Sequence, residues 1–336
     1  MLKDLCLING TSGREKAVRD YIIERIPKDC AYTVDNLGNV IAEKKGKNRP
    51  ENKIMLSAHM DEVGFIITHI TDDGFLKFSP VGGIDERVVF GRSVTIGEKN
   101  TVGVIASKAV HQLTGDEIKK VPGFDEMYID IGAEDKKEAE HYVQIGDCAY
   151  FNSEYIEYGD GLVKAKALDD RMGCQILLEI LNSQVEYDFT ACFVTQEEIG
   201  TRGAAVAAYN VKPDYAVVIE GTTASDISGT PDGKKVCTLG GGAVVSYMDR
   251  GTVYDFELYK RVLKIAQANG IKCQTKTVVA GGNDAAAIHK SGAGVKTVAV
   301  SVPTRYIHSP SSVAKLEDIE SVKQLAVSLI GAFAND

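Results

Sequence analysis

The stretch Lys53 to Phe65, KIMLSAHMDEVGF, runs apolar through Ile54, Met55 and Leu56, then sets down His59, Asp61 and Glu62 before turning apolar again at Val63. The same change recurs along the chain. FTACFVT runs into Gln196, Glu197 and Glu198, YAVVI ends in Glu220, VKTVAVSVP is followed by TRYIHSP with His308, and KAKAL leads into Asp169 and Asp170. Carboxylates gathered at the rim of an apolar core repel one another, and desolvation adds to the cost. Few basic residues lie close to them in sequence, so a divalent cation compensates better than salt bridges. No thiolate cluster is present. Hard oxygens with imidazole suit Zn, Co or Mn and match hydrolytic sites more than structural zinc sites.

Spacing narrows the roles. His59 and Asp61, two apart, fall on one face of an extended strand. A metal-bound imidazole has its other ring nitrogen held by an acceptor; Asp61 can supply that directly or orient the site from nearby. Glu197 and Glu198, as chain neighbours, point in different directions. One can bind metal while the other, unligated, acts as general base.

These residues need a scaffold that delivers them to one place. FTACFV and YAVVI are near-continuous apolar runs of the kind buried parallel strands show, and VKTVAVSVP and NKIMLSAH read the same way. Helices are expected at SGREKAVRDYIIERIP, where Ser12 and Glu15 have capping-box spacing, and at DDRMGCQILLEILNS, TVYDFELYKRVLKIAQANG and the closing KLEDIESVKQLAVSLIGAFA. Alternating strands and helices predict an α/β fold, a sheet covered on both faces. In such sheets ligands sit at the carboxyl ends of the strands. From about residue 68 to 165 the texture changes to short strand-like runs separated by Gly, Asp and Asn, which predicts a small inserted β-barrel or β-sandwich. His111 to Glu126 reads as a long loop within it, and Glu134 to His141 as a solvated segment.

Composition excludes several classes. The chain has 336 residues, a formal net charge of −9, 44% hydrophobic and 25% charged residues, as a soluble globular protein of two domains would. The acidity argues against nucleic-acid or anionic-membrane partners. No stretch approaches the ~20 apolar residues of a membrane span. The seven cysteines are scattered, odd in number and form no CxxC pair, and the start lacks the apolar core of a signal peptide; a reduced, cytoplasmic protein is expected. His69, His111, His141 and His289 lack carboxylate neighbours and read as ordinary surface or core histidines. GGGAVV and AGGND lack the Lys-Ser/Thr pair of a phosphate loop and read as tight backbone approaches near the site.

AHMDEVG, ALDDRMG, TQEEIGTRGA, GGNDAAAI and RYIHSP, in that order, resemble the motifs of the glutamyl aminopeptidase and tetrahedral (TET) aminopeptidase family. The resemblance spans essentially the whole chain. It implies a mixed, mostly parallel sheet sandwiched by helices (residues 1–67 plus 166–336) and an inserted β-barrel domain (68–165) that builds dimers and tetrahedral dodecamers. It implies two divalent metal ions. His59 would be a ligand of one, Asp169 would bridge both, and Glu198 and His308 would hold the second. Glu197 would be the general base, Asp61 the catalytic aspartate behind His59, and Asp284 a residue lining the substrate pocket. The remaining ligand of the first metal is commonly Asp in this family; this chain has Glu220, with Asp226 a poorer substitute six residues past it. The implied activity is removal of N-terminal residues from peptides. An N-acyl amino acid deacylase or carboxypeptidase on the same dimetal core, or a catalytically silent assembly protein, are the competing expectations. Chain-adjacent Glu197 and Glu198 do not face each other across ~5–9.5 Å as glycosidase carboxyls must.

Overall fold

The computed structural model describes all residues 1–336. A short helix α1 (Leu2–Leu7) and α2 (Lys16–Ile23) precede an edge hairpin of β1 (Ala31–Val34) and β2 (Val40–Lys44) and the strand β3 (Ile54–His59). The chain then enters the barrel: β4 (Gly64–Ile70), β5 (Leu76–Val81), β6 (Ser93–Ile96), β7 (Thr101–Ala106), β8 (Tyr128–Asp130), helix α3 (Lys136–Tyr142) and β9 (Cys148–Phe151). It returns through β10 (Ile156–Tyr158), β11 (Leu162–Ala165), α4 (Leu168–Leu181), β12 (Phe189–Val194), α5 (Arg202–Val211) and β13 (Tyr215–Thr223). The last elements are β14 (Ala243–Val245), α6 (Phe256–Ala268), β15 (Cys273–Thr275), α7 (Ala285–Ile288), β16 (Lys296–Arg305), β17 (Ser312–Lys315) and α8 (Leu316–Phe333).

The main sheet has the order β1-β2-β12-β3-β13-β16-β17-β11-β10, with β14 and β15 attached beside β16. Its centre, β12-β3-β13-β16, is parallel throughout, and the flanking pairs are antiparallel. All six residues of β3 are buried, and alternation sorts them between the two faces. Ile54, Leu56 and Ala58 join the large core under α1, α2, α4, α6 and α8, whereas Met55 joins the smaller core under α5 and α7. Phe189, Ala191 and Phe193 of β12 divide from Cys192 and Val194 in the same way. Cys192 is thus the small apolar residue its run suggested, and all seven cysteines are free.

The insert closes into a six-stranded barrel, β4-β5-β8-β7-β6-β9. Phe65 lies at its centre, edge-on to Phe78 and Phe151 at 5.1 and 5.2 Å between centroids. The long segment after β7 carries only single turns of 3-10 helix, in line with the expected loop.

Several local expectations are corrected. The run GLVKAKAL, grouped by texture with the insert, supplies β11, which pairs with β17 of the main sheet. The barrel begins earlier, at Gly64. Glu134 to His141 is solvated as expected, with only Ala139 buried, and it also holds a short helix capped by Asp135, whose carboxylate accepts from Glu138 N at 2.8 Å. Ser12 and Glu15 form no capping box, because both side chains turn toward the rim of the sheet. The GGG run makes its close backbone approach to the start of α8. The amides of Gly240 and Gly242 donate to Asp318 in the first turn of α8, each at 2.7 Å. No helix is long and apolar enough to cross a membrane.

Candidate metal centre

The parallel centre of the sheet carries the chemistry to one edge. His59 ends β3, the turn 195–201 follows β12, Glu220 stands near the end of β13, and His308 follows β16. Asp169 and Asp170 open α4 with non-helical backbone angles, joined by a cis peptide bond.

Two donor sets share Asp169. On one side His59 Nε2 lies 3.5 Å from Asp169 Oδ1 and 3.6 Å from Glu220 Oε2. On the other, His308 Nε2 lies 3.5 Å from Asp169 Oδ2 and 3.2 Å from Glu198 Oε1. Ligands about 2.1 Å from a tetrahedral ion are separated by about 3.4 Å, so these gaps suit a cation between the donors better than direct hydrogen bonds. Glu220 Oε1 is buried without a partner, as are both carboxylate oxygens of Asp284. The donor chemistry and the orphaned oxygens both fit divalent metal.

The imidazoles are oriented for it. His59 Nδ1 faces the Asp61 carbonyl at 3.0 Å, and His308 Nδ1 faces the Gly83 carbonyl at 2.7 Å. A carbonyl only accepts, so each Nδ1 carries a proton and Nε2 is left to the carboxylates. Gly83 belongs to the barrel side of the chain, so the insert helps aim His308.

Burial disfavours a charged His59, but Glu220, Asp169 and Asp61 outweigh it and hold the ring well above its usual range. The same balance, with Asp169 and Glu198 as the anions, lifts His308 to about 11. Burial raises Glu220 to about 7 against the pull of His59. Asp169 resists burial because both imidazoles hold it low. Metal ions bound among these groups would compete with protons for them.

The surrounding residues are assigned by their contacts. Asp170 lies within reach of His59 and Glu220, but its oxygens accept from Gly173 N at 3.0 Å and His59 N at 3.3 Å. It braces the end of β3. Asp226 is bound by Arg305 and by Leu239 N, so it is engaged away from the donors. Asp61, fully buried, accepts from Glu197 N at 3.0 Å and Glu198 N at 3.1 Å. The Glu197 carboxylate itself receives no protein donor, and burial followed by Glu220 pushes its pKa well up. Asp284 lies at the start of α7 with its amide beside Glu220.

Sequence reasoning missed the supports. Lys166 Nζ pairs with both oxygens of Glu62 at 2.6 and 2.7 Å, and the fully buried Arg171 donates to the carbonyls of Met60, Leu5 and Ile8. The only signal was position: Glu62 beside Asp61, and Lys166 and Arg171 flanking the Asp pair. Behind the 195–201 turn lies a cavity of about 1010 Å³ lined by Glu15, Gln196, Arg14, Arg19 and Tyr150 among others, which none of the donor residues lines.

The chain matches the M42 glutamyl aminopeptidase family over residues 38–325. It is 32% identical over 331 residues to the glutamyl aminopeptidase of Lactococcus lactis subsp. cremoris (strain MG1363), covering 94% of this chain and 91% of that one. An aminopeptidase from the archaeon Desulfurococcus kamchatkensis superposes with a TM-score of 0.92 at 34% identity, covering 98% of this chain and 93% of that chain. The Pyrococcus horikoshii TET1 peptidase, which assembles into a tetrahedron or a large octahedral shell, gives 0.86 at 37%, covering 100% and 98%. The chain belongs to the M42 family and is a metal-dependent aminopeptidase.

Proposed function

We propose that this chain removes N-terminal residues from peptides at a site holding two divalent ions, zinc foremost with cobalt or manganese as alternatives. His59, Asp169 and Glu220 would hold one ion, and Asp169, Glu198 and His308 the other. The observation that carries this reading is the pair of donor sets sharing Asp169, with gaps of 3.2–3.6 Å. Bound there, the ions would acidify a water and polarise the scissile carbonyl.

The chain's own residues do the rest. Glu197, unengaged and with a raised pKa, takes the proton of the attacking water and passes it to the nitrogen of the departing amine. Asp61 receives the amides of Glu197 and Glu198 and so holds the base and one ligand in fixed relation. Glu220 in place of the commoner aspartate reaches one methylene further, and its free Oε1 supports chelation by the longer side chain. Asp284, fully buried with both oxygens unpartnered beside Glu220, supports a place for the substrate's α-ammonium, which an acylated amine could not fill. The barrel would join copies into a closed particle of TET type, admitting peptides. Seven free thiols suit a reducing, cytoplasmic compartment.

The test combines chelation with substitution. Stripping the metal should abolish hydrolysis of amino-acid p-nitroanilides, and zinc or cobalt should restore it. Glu197→Gln should keep its metal content by elemental analysis while kcat falls about 10²–10⁴-fold; near-normal turnover would remove Glu197 from the mechanism.

A further inference from the structure

We infer that Ser12 and Glu15 are positioning residues that clamp the Gln196–Glu198 turn from behind and so set where Glu197 meets its proton. The segment that spacing marked as a helix cap serves the catalytic turn instead. Three successive amides of that turn are all taken by carboxylates. Gln196 N donates to Glu15 Oε1 at 3.2 Å, Glu197 N to Asp61 Oδ1 at 3.0 Å and Glu198 N to Asp61 Oδ2 at 3.1 Å. Consecutive amides aimed at one side form an anion-binding concavity, and here the protein fills it with its own side chains.

Asp61 is in turn held by Ser12, whose hydroxyl donates to Oδ2 at 2.6 Å. Glu15 is held by Gly13 N at 2.8 Å and is buried at 4% exposure. The donors are anchored as well. Glu62 N donates to Gly10 O and Gly10 N to Glu62 Oε1, each at 3.0 Å, and Arg14 N closes a turn on Thr11 O at 2.8 Å. Across the turn, Thr195 N donates to Asn39 Oδ1 at 2.9 Å. Gln196 sits at φ +57°, a left-handed conformation that a glutamine rarely adopts unaided. The grip of Glu15 on its amide supplies a reason for it to stay there.

Without Ser12, Asp61 Oδ2 keeps only the Glu198 amide, and the carboxylate is free to rotate and carry the Glu197 amide with it. Displacing a reacting group by about 1 Å from afar can cost on the order of 100-fold in rate. The effect should fall on turnover and spare binding, because neither residue reaches the donor sets. This inference rests on Glu197 as the proton acceptor.

The experiment compares Ser12→Ala, Ser12→Thr, Glu15→Ala, Glu15→Gln and Glu197→Gln, each with thermal unfolding, elemental analysis and p-nitroanilide kinetics. Ser12→Ala and Glu15→Ala should lose about 10- to 100-fold in kcat, with KM and bound metal unchanged. Ser12→Thr keeps the hydroxyl and Glu15→Gln keeps an acceptor, so both should recover most of the turnover. Alanine variants at wild-type kcat beside an inactive Glu197→Gln would overturn the clamp alone. Conservative variants as impaired as the alanines, or losses that follow metal content or unfolding temperature, would also overturn it. An active Glu197→Gln would overturn the clamp together with the reading it rests on.

Discussion

Gly221 shows how closely single residues are fitted at the centre. Its amide donates to Asp169 Oδ1 at 3.1 Å, and a Cβ built there would stand 2.8 Å from that oxygen. The offending oxygen belongs to Asp169, the residue common to the two donor sets, and it is the one that faces His59, so it cannot move without opening that set. Gly221→Ala should therefore weaken metal binding about 10- to 100-fold, the usual effect of disturbing a group that orients a ligand, while the fold persists. Competition with a chromogenic zinc chelator reads this directly, and unchanged affinity would contradict it. Sequence placed His59, Asp61, Asp169, Glu197, Glu198, Glu220 and His308 at one rim because each follows an apolar run whose end is visible. The residues that fasten them were hidden. Ser12 and Glu15 carry the letters of a helix cap, and only the tertiary structure turns them toward Asp61 and Gln196. Arg171 and Lys166 give no local sign of binding partners more than a hundred residues away.

At the scale of elements, the strongly patterned pieces were legible and the short ones were not. Buried parallel strands declare themselves by continuous apolar runs, whereas β11 has the same alternating texture as the barrel strands and differs only in its pairing partner. Asp226 illustrates how side chains then tie such elements together. Its carboxylate joins Arg305, at the end of β16, to the amide of Leu239 in the segment after β13. Burial works to raise its pKa, but the Arg305 guanidinium wins and holds it below the usual value of 3.8. The sign follows from linkage: a lowered folded-state pKa contributes stability above the unfolded value, and that stability is lost as pH falls through the folded one. The wild type should thus lose part of its stability in acid below about pH 4, and Asp226→Asn should lack that component while being less stable at neutral pH. Urea unfolding of both proteins between pH 3 and 7 measures the difference; parallel pH curves would show that the pair contributes nothing.

The whole molecule presents an imbalance that its own chain does not relieve. The barrel hides a core of aromatic and branched residues around Phe65, yet its outer wall and long loop leave Val102, Val104, Val110 and Ile118 at 62%, 46%, 73% and 58% exposure. Isolated apolar side chains on a surface need no explanation, but several on one inserted unit mark an interaction face. The resemblance to a TET1 peptidase that forms closed shells agrees with a second copy as the occupant, and self-association through closed symmetry is the commonest way such faces are buried. Val102 and Val104, two apart on β7, are both exposed and point the same way, so a charge at one stands beside the other. Burying an unpaired carboxylate costs several kcal/mol, enough to shift an association equilibrium by orders of magnitude. Val102→Glu should consequently sediment as a smaller species than the wild type, with the barrel still folded because the side chain faces outward. If activity on a dipeptide p-nitroanilide survives while longer, folded substrates begin to be cut, the particle restricts access. A wild-type chain that scatters light as a monomer would leave the exposed valines without this role.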